Sequence, residues 1–79
     1  MSNKKIKIYT APGCPFCVLA KSYLEEKGVE FEEIDVSKNA QGAKEMVEKS
    51  KQMGVPVIEI DGQIIIGFDK EKIDELLKA

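Results

Sequence analysis

The chain has no histidine, and its twelve basic residues are all lysines, so arginine is absent as well. Without histidine it lacks the side chain best suited to proton transfer near neutral pH and the commonest metal ligand. Only two cysteines remain as strong zinc ligands, so a site needing about four could form only across a dimer or with an exogenous thiol. Scattered lysines without arginine or clustered aromatics lack the electrostatic footprint and stacking platforms of a nucleic-acid surface, which excludes nucleic acid as a partner. No apolar run approaches a membrane span. The lysines at positions 4, 5 and 7 are followed by a run too short and polar for a signal peptide, so a cytoplasmic protein without a membrane partner is expected. The 79 residues, 43% hydrophobic and 33% charged with a net charge of -2, have ordinary globular composition and suffice for one domain over residues 1–79.

Hydrophobic periodicity divides the chain into seven elements. Residues 5–9 alternate polar and apolar with β-branched side chains, the pattern of a strand, and stop at Thr10-Ala11-Pro12-Gly13. From Cys14 to Lys27, Cys17, Ala20 and Leu24 form one helical stripe with Phe16, Leu19 and Tyr23 beside it, and Gly28 stands at the C-cap position. Residues 29–36 alternate again around Phe31 and Ile34, which completes a βαβ unit. Ser37 is placed to cap a second helix reaching about Lys51, with Ala40, Ala43, Met46 and Val47 inward and Gly42 as a weak point. Two β-branched runs, residues 57–60 and 63–66, flank Asp61-Gly62, whose types suit the positive φ that a tight hairpin turn requires. Asp69 can cap a last helix with Ile73, Leu76 and Leu77 inward. The order is βαβαββα, an α/β arrangement.

Both cysteines lie in Cys14-Pro15-Phe16-Cys17, where a strand hands over to a helix. With Cys14 at the N-cap, Pro15 falls at the first helical position, where its missing N–H is no loss and its fixed φ is already helical. Residues three apart there have Cα atoms roughly 5 Å apart, within the range a disulfide accepts. Unpaired backbone N–H groups and the positive end of the helix dipole favour a thiolate at Cys14. Cys17, on the inner stripe, would be shielded and suited to resolving a mixed disulfide. A purely structural disulfide would close too short a loop to remove much unfolded-state entropy, and a reducing cytosol would open it. A lone CxxC beside a βαβ pattern points to redox chemistry.

Residues 9–17, Tyr9-Thr10-Ala11-Pro12-Gly13-Cys14-Pro15-Phe16-Cys17, followed by Gly54-Val55-Pro56 and Gly67-Phe68, resemble the glutaredoxin family over almost the whole chain. The resemblance implies a thioredoxin-like fold with a four-stranded mixed sheet flanked by helices, Cys14 as nucleophile and Cys17 as resolving thiol. It also implies a cis peptide before Pro56 and backbone pairing of an extended substrate with Val55. Phe16, Lys51, Val55, Pro56, Gly67, Phe68 and Asp69 are then the substrate- or glutathione-binding residues, with no metal ligand among them and no permanently bound cofactor. Disulfide-containing proteins are the implied substrates, with glutathione as reductant or ligand. Many glutathione-using members carry lysine at the position of Ala11, a hydroxyl residue at that of Gly54 and a second glycine at that of Phe68. Gly67-Phe68 followed by Lys72-Ile73 is similar instead to the NrdH-redoxin branch, which implies thioredoxin reductase as the electron source. A further alternative is a glutathione-assisted iron–sulfur cluster between two subunits, although Pro15 and Cys17 favour disulfide chemistry.

Overall fold

A computed structural model describes residues 5–52 and 54–78; the start of the chain, residues 1–4 with the first of its lysines, lies outside them. The elements are β1 (Ile6–Thr10), α1 (Pro15–Glu26), β2 (Glu32–Asp35), α2 (Ala40–Ser50), β3 (Val57–Ile60), β4 (Gln63–Ile66) and α3 (Lys70–Lys78). The strands form one mixed sheet in the order β2-β1-β3-β4. β1 runs parallel to β2, with Ile8 opposite Glu33 and Thr10 opposite Asp35, and antiparallel to β3. β3 and β4 are antiparallel around Asp61-Gly62, whose φ values of 49° and 86° are both positive, as the tight hairpin demands.

Strand alternation sends side chains to two apolar layers. On one face Ile6, Ile8, Ile58, Ile60 and Ile65 pack with Ala20 and Leu24 of α1 and Ile73 of α3. On the other face Tyr9, Ile34 and Val57 pack with Met46 of α2. The sheet is therefore covered on both sides, the thioredoxin-like arrangement of a four-stranded mixed sheet with three helices. No helix among the described residues is long and apolar enough to cross a membrane.

Three expectations are corrected. The cap of α2 is Asn39, whose Oδ1 accepts the Gly42 N–H at 2.8 Å, and not Ser37. Ser37 instead donates its N–H and hydroxyl to Asp35 Oδ1, closing the turn after β2 and delaying the helix. The buried face of α2 is Gly42, Met46 and Ser50 with Ala43 half-buried, whereas Ala40 and Val47 are exposed. Gly42 is the reason for that register. A Cβ there would collide with Ile34 Cγ2, so the glycine lets the helix axis approach β2. The second strand is also shorter than the alternating stretch, because β2 lies at the sheet edge and Phe31 packs with the α1 face before pairing begins.

Candidate active site

The site begins where β1 ends. Cys14 is extended, at φ -105° and ψ 102°, and serves as the N-cap of α1 with Pro15 immediately after it. Its Sγ accepts the Cys17 N–H at 3.2 Å, the bond that a capping oxygen makes elsewhere. The Sγ also lies 3.8 Å from the Val55 carbonyl, to which the thiol donates. Both thiols are free, Cys14 partly accessible and Cys17 buried.

The two sulfurs occupy different environments. Burial pushes the Cys17 thiol up to about 11, reinforced by the hydrogen bond and charge of Cys14, while a backbone group at Ala11 and the Lys21 ammonium act in the opposite direction. A group so placed stays protonated at neutral pH. Cys14 faces a cleft of about 490 Å³ lined by the Thr10–Pro15 segment, Cys17, Val18, Lys21, Glu33 and Asp35. The floor of this cleft is a small polar cluster. Glu33 Oε2 accepts from Lys21 Nζ and from Thr10 Oγ1, each at 3.0 Å. Two hydrogen bonds from Ser37 hold Asp35 below the usual carboxylate range, so it is charged at neutral pH.

The other residues singled out in the sequence do not line this cleft. The Val55–Pro56 peptide is cis, Val55 is half-buried and Pro56 is buried. The Pro56 carbonyl accepts the Gly67 N–H at 2.9 Å, which ties the end of β4 to the segment that touches Cys14. Phe68 packs edge-to-face on Tyr23, with ring centres 5.8 Å apart, and against the α1–α3 core. Tyr23 in turn donates to Asp74 of α3. Asp69 caps α3, accepting the Lys72 N–H at 3.2 Å. Phe16 is exposed beside Cys14 on the first turn of α1, and Lys51 is exposed in the left-handed conformation that ends α2. Cys14, Val55, Pro56 and Gly67 are thus joined by direct contacts, whereas no hydrogen bond or ion pair joins Lys51 or Phe16 to them.

Two features of the site went unread in the sequence. The Thr10–Lys21–Glu33 cluster depends on the parallel register of β1 and β2, although Lys21 falls one helical turn after Cys17 and could have been found by that spacing. Gln52 is the second. Its amide bonds both the N–H and the carbonyl of Gly54, at 2.7 and 3.0 Å, and so shapes the approach to Val55.

Comparison with known proteins agrees with this architecture. The glutaredoxin family model matches residues 6–65. A glutaredoxin-like 8.6 kDa protein encoded in the rubredoxin operon of Clostridium pasteurianum is 48% identical over 73 residues, covering 92% of this chain and 97% of that protein. Glutaredoxin 3 of Escherichia coli is 44% identical over 64 residues, covering 81% of this chain and 77% of its own. The solved structure of NrdH-redoxin from Escherichia coli, a glutaredoxin-like protein described as having a thioredoxin-like activity profile, superposes with a TM-score of 0.80 at 28% identity. It covers 91% of this chain and 93% of its own. With the family model spanning most of the chain and the two cysteines at the head of α1, this protein belongs to the glutaredoxin family, the thioredoxin-fold redox proteins.

Proposed function

We propose that this protein is a dithiol thiol–disulfide oxidoreductase of the cytoplasm, acting on protein disulfides or glutathione mixed disulfides. The observation that carries the proposal is the asymmetry of the pair: Cys14 caps α1 with an accessible sulfur, and Cys17 is a buried, protonated thiol one turn away. Cys14 attacks a substrate disulfide, its sulfur forming a bond to one substrate sulfur while the other leaves. The Cys17 sulfur then attacks Cys14 Sγ, releases the bound thiol and leaves a Cys14–Cys17 disulfide. The half-buried Val55 backbone, whose carbonyl lies 3.8 Å from Cys14 Sγ, supports pairing of an extended substrate backbone beside the attacking sulfur. Phe16, Pro56, Gly67 and Phe68 would flank such a substrate, and Asp69 and Lys51 would border it.

The family match supports glutathione as the reductant. A second reading, reduction by thioredoxin reductase, is favoured by Gly67-Phe68 together with the likeness to NrdH-redoxin. One experiment separates them. The oxidised protein is supplied with NADPH and either glutathione plus glutathione reductase or thioredoxin reductase, and NADPH loss is followed with an insulin or hydroxyethyl disulfide substrate. Rapid turnover with the glutathione system is expected on the first reading. Turnover with thioredoxin reductase alone establishes the second, and turnover with neither overturns both.

A further inference from the structure

The resolving step contains a difficulty that the two cysteines do not remove themselves. Cys17 must give up a proton from a buried position before its sulfur can attack. Around it, α1 contributes Cys14 and Lys21, and β2 contributes Glu33 and Asp35; Thr10 of β1 is uncharged. Lys21 stands four residues after Cys17, a spacing that sets side chains about 5–6 Å apart at Cβ on one helix face. Its ammonium is the only cation lining the cleft among the described residues, and it is seated by Glu33 Oε2 at 3.0 Å. The same carboxylate oxygen accepts from Thr10, so the pair is fixed from β1 as well as from β2.

We propose that Lys21 and Glu33 are positioning residues for the resolving step, Lys21 favouring negative charge on the Cys17 sulfur and Glu33 seating Lys21 while offsetting part of that charge. This rests on the reading of Cys14 as nucleophile and Cys17 as resolving thiol. In the step, the Cys17 S–H bond breaks, the Cys17–Cys14 S–S bond forms, and the bond from Cys14 to the substrate sulfur breaks. The departing thiolate takes up one proton, so no further reactant is consumed. The cleft is open to water, which can carry the proton between the two sulfurs.

Opposite charges acting on one sulfur give opposite signs on removal, which a merely structural ion pair does not. A single charge at this distance in a partly exposed site changes the ionised fraction by about threefold to tenfold at low salt. The test uses reduced protein and bis(2-hydroxyethyl) disulfide, an uncharged probe whose own binding is insensitive to the substitutions. Acid quench and intact mass follow formation of the mixed disulfide and its conversion to the internal disulfide, and the ratio of the two rates is taken from pH 6 to 9. Lys21→Met is expected to lower the ratio about threefold to tenfold and move its profile to higher pH. Glu33→Gln, which keeps an oxygen for Lys21 and Thr10, raises the ratio by about threefold or more and moves the profile to lower pH. Lys21→Arg stays near the parent. If the first two variants move the ratio in the same direction, or either leaves it within about twofold of the parent, the inference is overturned. Failure of the parent protein to form either a mixed disulfide on Cys14 or the Cys14–Cys17 disulfide overturns the underlying redox reading, and the inference with it.

Discussion

The contrast between the two thiols can be read by limited alkylation of the native protein. With its thiol pushed from 9.0 to about 11, Cys17 at pH 7 is ionised in about one molecule in ten thousand, against about one in a hundred for the unshifted group. The rarer thiolate is the stronger nucleophile, and a gain of about tenfold for two pK units recovers part of that hundredfold loss. Ionisation alone therefore leaves Cys17 about tenfold slower than in the unfolded chain. Its burial, at 2% exposure, slows it further by excluding the reagent. The assay is a quenched time course with substoichiometric iodoacetamide, in buffer and in guanidinium chloride. Trypsin cleaving after Lys7 and Lys21 releases both cysteines in one peptide, and fragment ions across Pro15 and Phe16 assign the label. Native protein is expected to carry the first label on Cys14, and Cys17 is expected to react at least about tenfold faster once unfolded. In the native protein its rate should climb as pH rises through 9 to 11. Equal rates for Cys17 in the native and unfolded chains would refute the shielding on which its resolving role depends.

Three further outcomes concern the frame that holds the site. Gly42→Ala gains up to about 1 kcal/mol of helix propensity but drives a methyl into Ile34, at a cost of about 1–3 kcal/mol; urea unfolding should show net loss, and a more stable variant would contradict the close approach of α2 to β2. Asn39→Ala should cost about 1 kcal/mol by the same measurement, as removal of an N-cap does, whereas Ser37→Ala should cost clearly less; the reverse order would return the cap to Ser37. Because the raised Cys17 thiol makes the native state bind more protons than the unfolded chain between about pH 9 and 11, its contribution is present below pH 9 and lost as pH climbs through that window. The loss is about 3 kcal/mol, and Cys17→Ala should flatten that part of the stability profile.

How much of this was legible in the sequence depended on the range of the interaction. The hairpin at Asp61-Gly62 and the helix start at Cys14-Pro15 are local, each written in a few adjacent residue types, and both stand where the pattern put them. The caps at Asp69 and after Lys27 were readable for the same reason. The register of α2 was not, because Gly42 looked like a defect until Ile34, eight residues earlier on a neighbouring strand, supplied the contact that requires it. The polar floor of the cleft was hidden in the same way. Glu33 looked like any exposed strand residue, and only the parallel pairing of β1 with β2 brings it to Thr10 and Lys21. Resemblance located Val55 and Pro56 near the cysteines, but the role of Gln52 in bracing Gly54 is a matter of loop geometry that no local pattern encodes.

The central claim, that Cys14 attacks and Cys17 resolves, is tested most directly by asking which sulfur is captured when the other is absent. Cys17→Ser and Cys14→Ser are each reduced, mixed with glutathione disulfide and analysed by intact mass and fragmentation. The account predicts a stable glutathione adduct on Cys14 in the Cys17→Ser protein, and little or none on Cys17 in the Cys14→Ser protein over the same time. Rapid capture at Cys17 with disulfide-reductase turnover retained in Cys14→Ser would contradict it.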